Sequence, residues 1–159
     1  MKLIENHDAI LTETHLNNFI KFKESYGLTD EVISYISYSI SKGEKLLRCP
    51  ESSQKLFEIH EGKECVGEII ITTYEEDPPE LDVLIFDEFQ GKGYAEKALR
   101  KFLDDYCTNY TNIEATIRHK NLKRTCVKHL LEKLGFKFCY NSNDVAVYSK
   151  ELCNIHKHN

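Results

Sequence analysis

Residues 80–106 read ELDVLIFDEFQGKGYAEKALRKFLDDY, and this stretch decides the fold, because a strand, a glycine turn and a long amphipathic helix follow with almost no slack. Leu81, Val83 and Ile85 alternate with Asp82, Leu84 and Phe86, the pattern of a strand with one strongly apolar face. Beyond the turn, Ala95, Ala98, Leu99, Phe102, Leu103 and Tyr106 recur at helical spacing, while Glu96, Lys97, Arg100, Lys101, Asp104 and Asp105 take the other side. The joint is Gln90-Gly91-Lys92-Gly93-Tyr94-Ala95. Two glycines at a helix start let the backbone turn tightly and approach a ligand, and the free amides of the first turn lie at the positive end of the helix dipole. Such a turn either redirects the chain or binds an anion, most naturally phosphate. The lysine is not in the Gly-Lys-Ser/Thr order of a P-loop, and the full dinucleotide glycine pattern is absent, so a phosphate bound here belongs to another cofactor.

Working outward, a short strand is expected near Lys2 to Ile4, and Leu16, Phe19, Ile20 and Lys23 have helical spacing in a polar segment. Thr29 or Asp30 caps a clearer helix with Val32, Ile33, Ile36 and Ile40 on one face and Gly43 at its end. Lys55 to His60 and Glu64 to Tyr74 form a hairpin around Glu61-Gly62-Lys63, and Pro78-Pro79 stop the pairing after an acidic loop. Ile113, Ala115 and Ile117 alternate with Glu114, Thr116 and Arg118 in a further strand, and strand, helix, strand implies a parallel crossover. A helix from Leu122 to Leu134 buries Cys126, Leu130, Leu131 and Leu134. A last hairpin joins Phe136 to Tyr140 with Val145 to Tyr148, and its sheet edge would allow a homodimer. The tail from Cys153 to Asn159, with His156 and His158, is expected to fray.

Composition narrows the function classes. A chain of 159 residues with 41% hydrophobic and 30% charged residues suits one globular domain. A net charge of -5 argues against nucleic acid as a partner and favours a cationic substrate. The six cysteines lack Cys-x-x-Cys spacing and read as reduced, buried thiols, and no Cys and His spacing matches a closed zinc site, so no metal is expected. Without a signal-peptide core or a membrane-length apolar run, a cytoplasmic location away from the membrane is expected. Cys126 and His129 stand i and i+3 on one helix, but a buried thiol beside a partly exposed histidine explains them without nucleophilic chemistry.

Gln90-x-x-Gly93-x-Ala95 between an apolar strand and this helix resembles the acetyl-CoA pyrophosphate motif of the Gcn5-related N-acetyltransferase (GNAT) superfamily. Cys65-Val66-Gly67-Glu68-Ile69 resembles the family's preceding strand, and Glu132-Lys133-Leu134-Gly135-Phe136 its later helix end. The resemblance implies an α/β (α+β) acyl-CoA N-acyltransferase fold: a mixed, mostly antiparallel sheet with a splayed central parallel pair and about four helices. It divides a single domain, 1–159, into a variable substrate-covering part (1–50), a core (56–148) and a flexible tail (153–159). It also implies an acetyl-CoA-dependent N-acetyltransferase whose partners are acetyl-CoA and an amine acceptor. Val83, Leu84 and Ile85 would meet the pantetheine arm, and Gln90 with the amides of Gly91, Lys92, Gly93, Tyr94, Ala95 and Glu96 the pyrophosphate.

The amine must lose a proton, so a carboxylate near the splay is required. Glu80 matches the acidic position of the branch that modifies ribosomal-protein N-termini and antibiotics. Asp82 shares its face, and Glu114 lies two residues before Thr116, the position where N-terminal acetyltransferases often carry Glu. The family's helix-opening Asn maps to Asn121 or, counted from Gly135, to Arg124. Its general-acid Tyr maps to Lys128 or Leu131, so the tyrosine is missing. That departure leaves a second reading open, a weakly active or inactive acyl-CoA-binding module of the same fold. A third, a structural domain with no cofactor, needs three accidental matches.

Overall fold

The alternation in residues 80–85 becomes the strand at the middle of the sheet. In the computed structural model, which describes residues 1–152, the order is β1 Lys2–Glu5, α1 Glu13–Lys21, α2 Lys23–Tyr26, α3 Asp30–Ser41, β2 Gln54–Glu61, β3 Glu64–Thr72, β4 Glu80–Ile85, α4 Tyr94–Tyr106, β5 Asn112–Arg118, α5 Arg124–Lys133, β6 Lys137–Asn141 and β7 Val145–Glu151. The seven strands line up as β1-β2-β3-β4-β5-β7-β6, antiparallel throughout except for the parallel β4–β5 pair. This is the mixed α+β sheet that the sequence implied. Five helices flank it rather than about four, because the polar segment before Gly27 folds into two short ones.

One face of the sheet carries α4 and α5. Ala98, Leu99, Phe102, Leu131 and Leu134 bury against Leu81, Ile69, Ile113, Ala115 and Ile117. Phe102 lies 5.2 Å from Phe57 in an edge-on contact. Each such fully buried large side chain stabilises the fold by about 1.5–3 kcal/mol. The register sets Glu68 opposite Leu84 on the other face, where α1 docks through His15, whose Nε2 lies 3.1 Å from Glu68 Oε2. Asn18 Oδ1 accepts from the Asp87 amide at 2.9 Å, fixing the turn that leaves β4.

Gly67 is required by a close approach: a Cβ there would stand 2.2 Å from the Leu84 carbonyl oxygen. Thr29 caps α3, accepting from the Val32 amide at 3.3 Å, and Gly43 follows its end with φ +74°. Several expectations are corrected. Val32 is exposed, and Ser39 joins Ile36 on the buried side of α3. β3 stops at Thr72, and α5 starts at Arg124, leaving Leu122 87% exposed. Cys126 and Cys139 are exposed, and only Cys107 is buried, so most described thiols are not core. β6 is exposed along its length and ends the sheet. No helix among the described residues is long and apolar enough to cross a membrane. The tail from Cys153, with His156 and His158, lies outside the described residues.

Candidate active site

The parallel pair holds at one point and then opens. β4 and β5 share a single register pair, Glu80 with Glu114, and the Glu114 amide donates to the Pro79 carbonyl at 2.9 Å. On the other edge of β4, Phe86 N–H donates to Val66 C=O at 3.0 Å. By strand alternation the amide and carbonyl of Val83 and Ile85 point toward β5 beyond the last pair. Gln90 takes one of these groups, its Nε2 donating to the Ile85 carbonyl at 3.0 Å. The opening is a cleft of about 440 Å³, walled by β4, β5, the glycine turn, α5 and the end of α2.

At one end of the cleft lies the turn. Gly91 and Gly93 have φ +77° and +78°, which favours glycine, and a Cβ at either would meet open space. Gly93 caps α4, whose first amides have no carbonyl four residues back to reach. Lys123 donates to Gln90 Oε1, and its ammonium lies 5.2 Å from the Phe22 ring centroid, so a cation stands over the mouth of the turn. Open space beside the glycines, free first-turn amides and a nearby ammonium fit a phosphate-bearing ligand.

Toward the paired end lie the carboxylates. Glu80 accepts from Thr116 Oγ1 at 3.1 Å and from the Tyr74 hydroxyl at 3.4 Å. Asp82 lines the cleft and is an exposed side chain, so its environment is set by the protein walls on either side rather than by enclosure. Desolvation by the surrounding walls and the charge of Glu80 raise its pKa to about 6, with Arg48, the Val83 amide and Arg118 pulling the other way. Burial, Glu80 and Asp77 raise Glu114 as well. An acid half-ionised near pH 6 is suited to taking a proton close to neutrality.

Most of the residues singled out from the sequence meet here. Glu80, Asp82, Val83, Leu84, Ile85, Gln90, Gly91, Gly93, Tyr94, Ala95 and Asn121 line the cleft. Glu114, Lys92, Glu96 and Arg124 are not among the residues that line it. Lys92 lies over Phe89, Glu96 pairs with Arg100 and Lys133, and Arg124 donates to the His119 carbonyl at 3.0 Å. Asn121 accepts from Ser25 Oγ at 3.2 Å and from its neighbour Lys123, closing the turn before α5. Neither counted tyrosine position offers an acid: Leu131 is buried, and Lys128 lies on the surface, 3.9 Å from Glu132.

Sequence reasoning missed the wall supplied by α2. Phe22, Ser25 and Tyr26 all line the cleft, and burial, against the opposing charge of Arg48, pushes the Tyr26 phenol up to about 12, so it stays neutral there. Arg118 crosses from β5 to the same segment, its guanidinium lying where a Cβ on Gly27 would be 2.5 Å away. Tyr26-Gly27 was the available signal, a helix end facing a strand end, but nothing local gives its distant partner.

A family model described as an acetyltransferase (GNAT) domain matches residues 11–137. No curated protein matches the chain by sequence. Among solved structures, the chain is similar to the N-acetyltransferase PseH of Campylobacter jejuni in complex with acetyl coenzyme A, at 13% identity and TM-score 0.60, over 96% of this chain and 99% of that one. An acetyltransferase from Thermus thermophilus gives 18% identity and TM-score 0.62, covering 96% and 98%. A mutant spermidine N-acetyltransferase SpeG from Vibrio cholerae gives 20% and 0.59, covering 96% and 95%. All three share the fold.

Proposed function

The chain belongs to the GNAT acetyltransferase family, and from that premise we propose that it transfers an acetyl group from acetyl-CoA to a primary amine by direct attack in a ternary complex. The observation that carries this reading is the β4–β5 opening, with a glycine turn and helix start at one end and ionisable carboxylates at the other. Acetyl-CoA supplies the activated acetyl thioester. Gly91 to Glu96 offer backbone amides to its pyrophosphate, Lys123 adds a positive charge, and Val83 to Ile85 offer strand-edge groups to its arm.

An amine with a lysine-like pKa arrives protonated, and Asp82 is the base we favour for removing that proton. Glu80, held by Thr116 and Tyr74, acts through its charge on Asp82 and raises Glu114 as well. A backbone amide of the splayed β4 end is the donor available to a developing oxyanion. A thiolate leaves without a dedicated acid more readily than an amine, since an ordinary thiol has a pKa of about 8.5. The acids Glu75, Glu76 and Asp77 follow β3 and lead into β4, so a cationic amine acceptor suits the rim. SpeG, named as a spermidine N-acetyltransferase, has an acceptor of that kind. Glu80 at the acidic start of β4 supports a reading nearest the branch acting on ribosomal-protein N-termini and antibiotics.

Calorimetric titration of acetyl-CoA and CoA tests the reading, with Gly93→Asp as the control. The left-handed φ of Gly93 makes the substitution cost about 1–2 kcal/mol of stability, and the new carboxylate repels a phosphate. Binding by the unaltered protein that is lost in the folded variant supports the site. No binding by the unaltered protein overturns it. The missing tyrosine favours the second reading, a module that binds acetyl-CoA without turnover, and cofactor binding with no transfer to a broad amine panel would select it.

A further inference from the structure

On the opposite side of β3 from the cleft's own strand edge, the β2–β3 hairpin gathers three side chains that acetyl transfer does not use. Glu58, His60 and Cys65 are each half-buried, and their carboxylate oxygen, imidazole nitrogen and sulfur lie within 4.8 Å of one another. A register shift brings them together. Ile59 pairs with Gly67, but His60 then pairs with Cys65, so one extra residue, Val66, is accommodated in β3. Without that bulge Val66 would stand opposite His60, and Cys65 would face Glu61. Bulges commonly re-aim side chains in this way.

We propose that Glu58, His60 and Cys65 form a binding site for a divalent transition-metal ion of the zinc type. Thiolate, imidazole and carboxylate are the ligand set that zinc accepts, and three protein ligands leave a fourth position for water. Tetrahedral bonds of about 2.0–2.3 Å separate ligand atoms by about 3.3–3.7 Å, which small side-chain rotations reach from the observed spacing. Glu58 Oε1 already lies 2.9 Å from His60 Nε2. Asn6 Nδ2 donates to the other carboxylate oxygen, Glu58 Oε2, at 2.7 Å, which orients Oε1 toward the cluster as an outer-shell partner does. Glu58 and Cys65 line a cleft of about 500 Å³, which gives an ion access from solvent. On binding, the Cys65 thiol releases its proton to solvent, His60 gives up its Nε2 proton to solvent and takes one at Nδ1, the Glu58–His60 hydrogen bond gives way to two metal bonds, and the two anionic ligands balance the dication.

Titration of the 159-residue chain with Co²⁺ under reducing conditions tests this site. One equivalent should give a sulfur-to-cobalt charge-transfer band with four-coordinate visible bands, and Zn²⁺ should displace both. Cys65→Ser should abolish the charge-transfer band, and His60→Gln should weaken binding by about tenfold or more. Circular dichroism checks that both variants fold, and Glu58→Gln, which keeps the side-chain shape, gives an independent loss. The band surviving in Cys65→Ser, or vanishing instead in Cys153→Ser, Cys126→Ser or Cys139→Ser, overturns the proposal. So does the absence of a charge-transfer band in the unaltered protein.

Discussion

Replacing Asp82 with asparagine separates the base we favour from its neighbours. With a pKa of about 6, Asp82 is ionised about one-tenth at pH 5, half at pH 6 and about nine-tenths at pH 7. If the ionised form takes the amine proton, kcat/KM rises about tenfold from pH 5 to pH 7 and then levels. The amine stays almost wholly protonated over that range, so its own titration adds no break there. Asp82→Asn should remove this acid limb and lower kcat by about 10²–10⁴-fold, the usual contribution of a general base. Glu80→Gln should behave differently. It deletes a negative charge that raises Asp82, so the limb moves to lower pH while turnover persists. Initial rates of CoA thiol release, followed with a thiol reagent across pH 5 to 8 at fixed amine, measure all three proteins. Asp82→Asn with the unaltered rate and limb, or Glu80→Gln that abolishes turnover, would refute the assignment.

Two further outcomes concern the frame that holds the cleft. Gly67→Ala places a methyl against the Leu84 carbonyl, which has no flexible end to move aside, so β3 and β4 must separate. A loss of about 3 kcal/mol is expected in urea unfolding. An unchanged midpoint would show that the strands yield. Burial would raise Glu68, but the hydrogen bond from His15 and the charge of Arg48 outweigh it and hold the carboxyl below its usual range. A depressed carboxylate pKa adds stability that is present above the unfolded value, near 4.5, and is lost as pH falls through the folded one. Glu68→Ala should therefore cost about 3 kcal/mol at neutral pH by leaving Arg48 and His15 without their buried partner. Its stability should also fall less steeply than the unaltered protein's on acidification below pH 4.5. Parallel acid curves for the two proteins would remove Glu68 from the account.

Local chemistry reported itself in the sequence. The alternation at Leu81, Val83 and Ile85, the tight turn at Gly91 and Gly93, and the apolar stripe of Ala98, Leu99 and Phe102 are all readable within a few residues, and each became the element it implied. Gly67 was legible as part of a motif, but its reason, a strand approaching within a methyl's reach, is a property of two strands. The cysteines misled, because burial depends on which helix face meets the sheet, and Cys126 lies on the cleft side of α5 rather than under it.

From the sequence alone come the strand, the glycine turn and the helix that follow one another, and the acids carried by the strands. Period, glycine φ and charge are local quantities, set by each residue and its neighbours. Only the tertiary structure decided that β4 and β5 part after a single pair, that Asp82 sits where walls and Glu80 raise its pKa, and that α2 closes the cleft with Tyr26. It alone set the register that turns Cys65 toward His60. These depend on which distant segments share an edge or a face, and that is settled by packing the whole sheet at once.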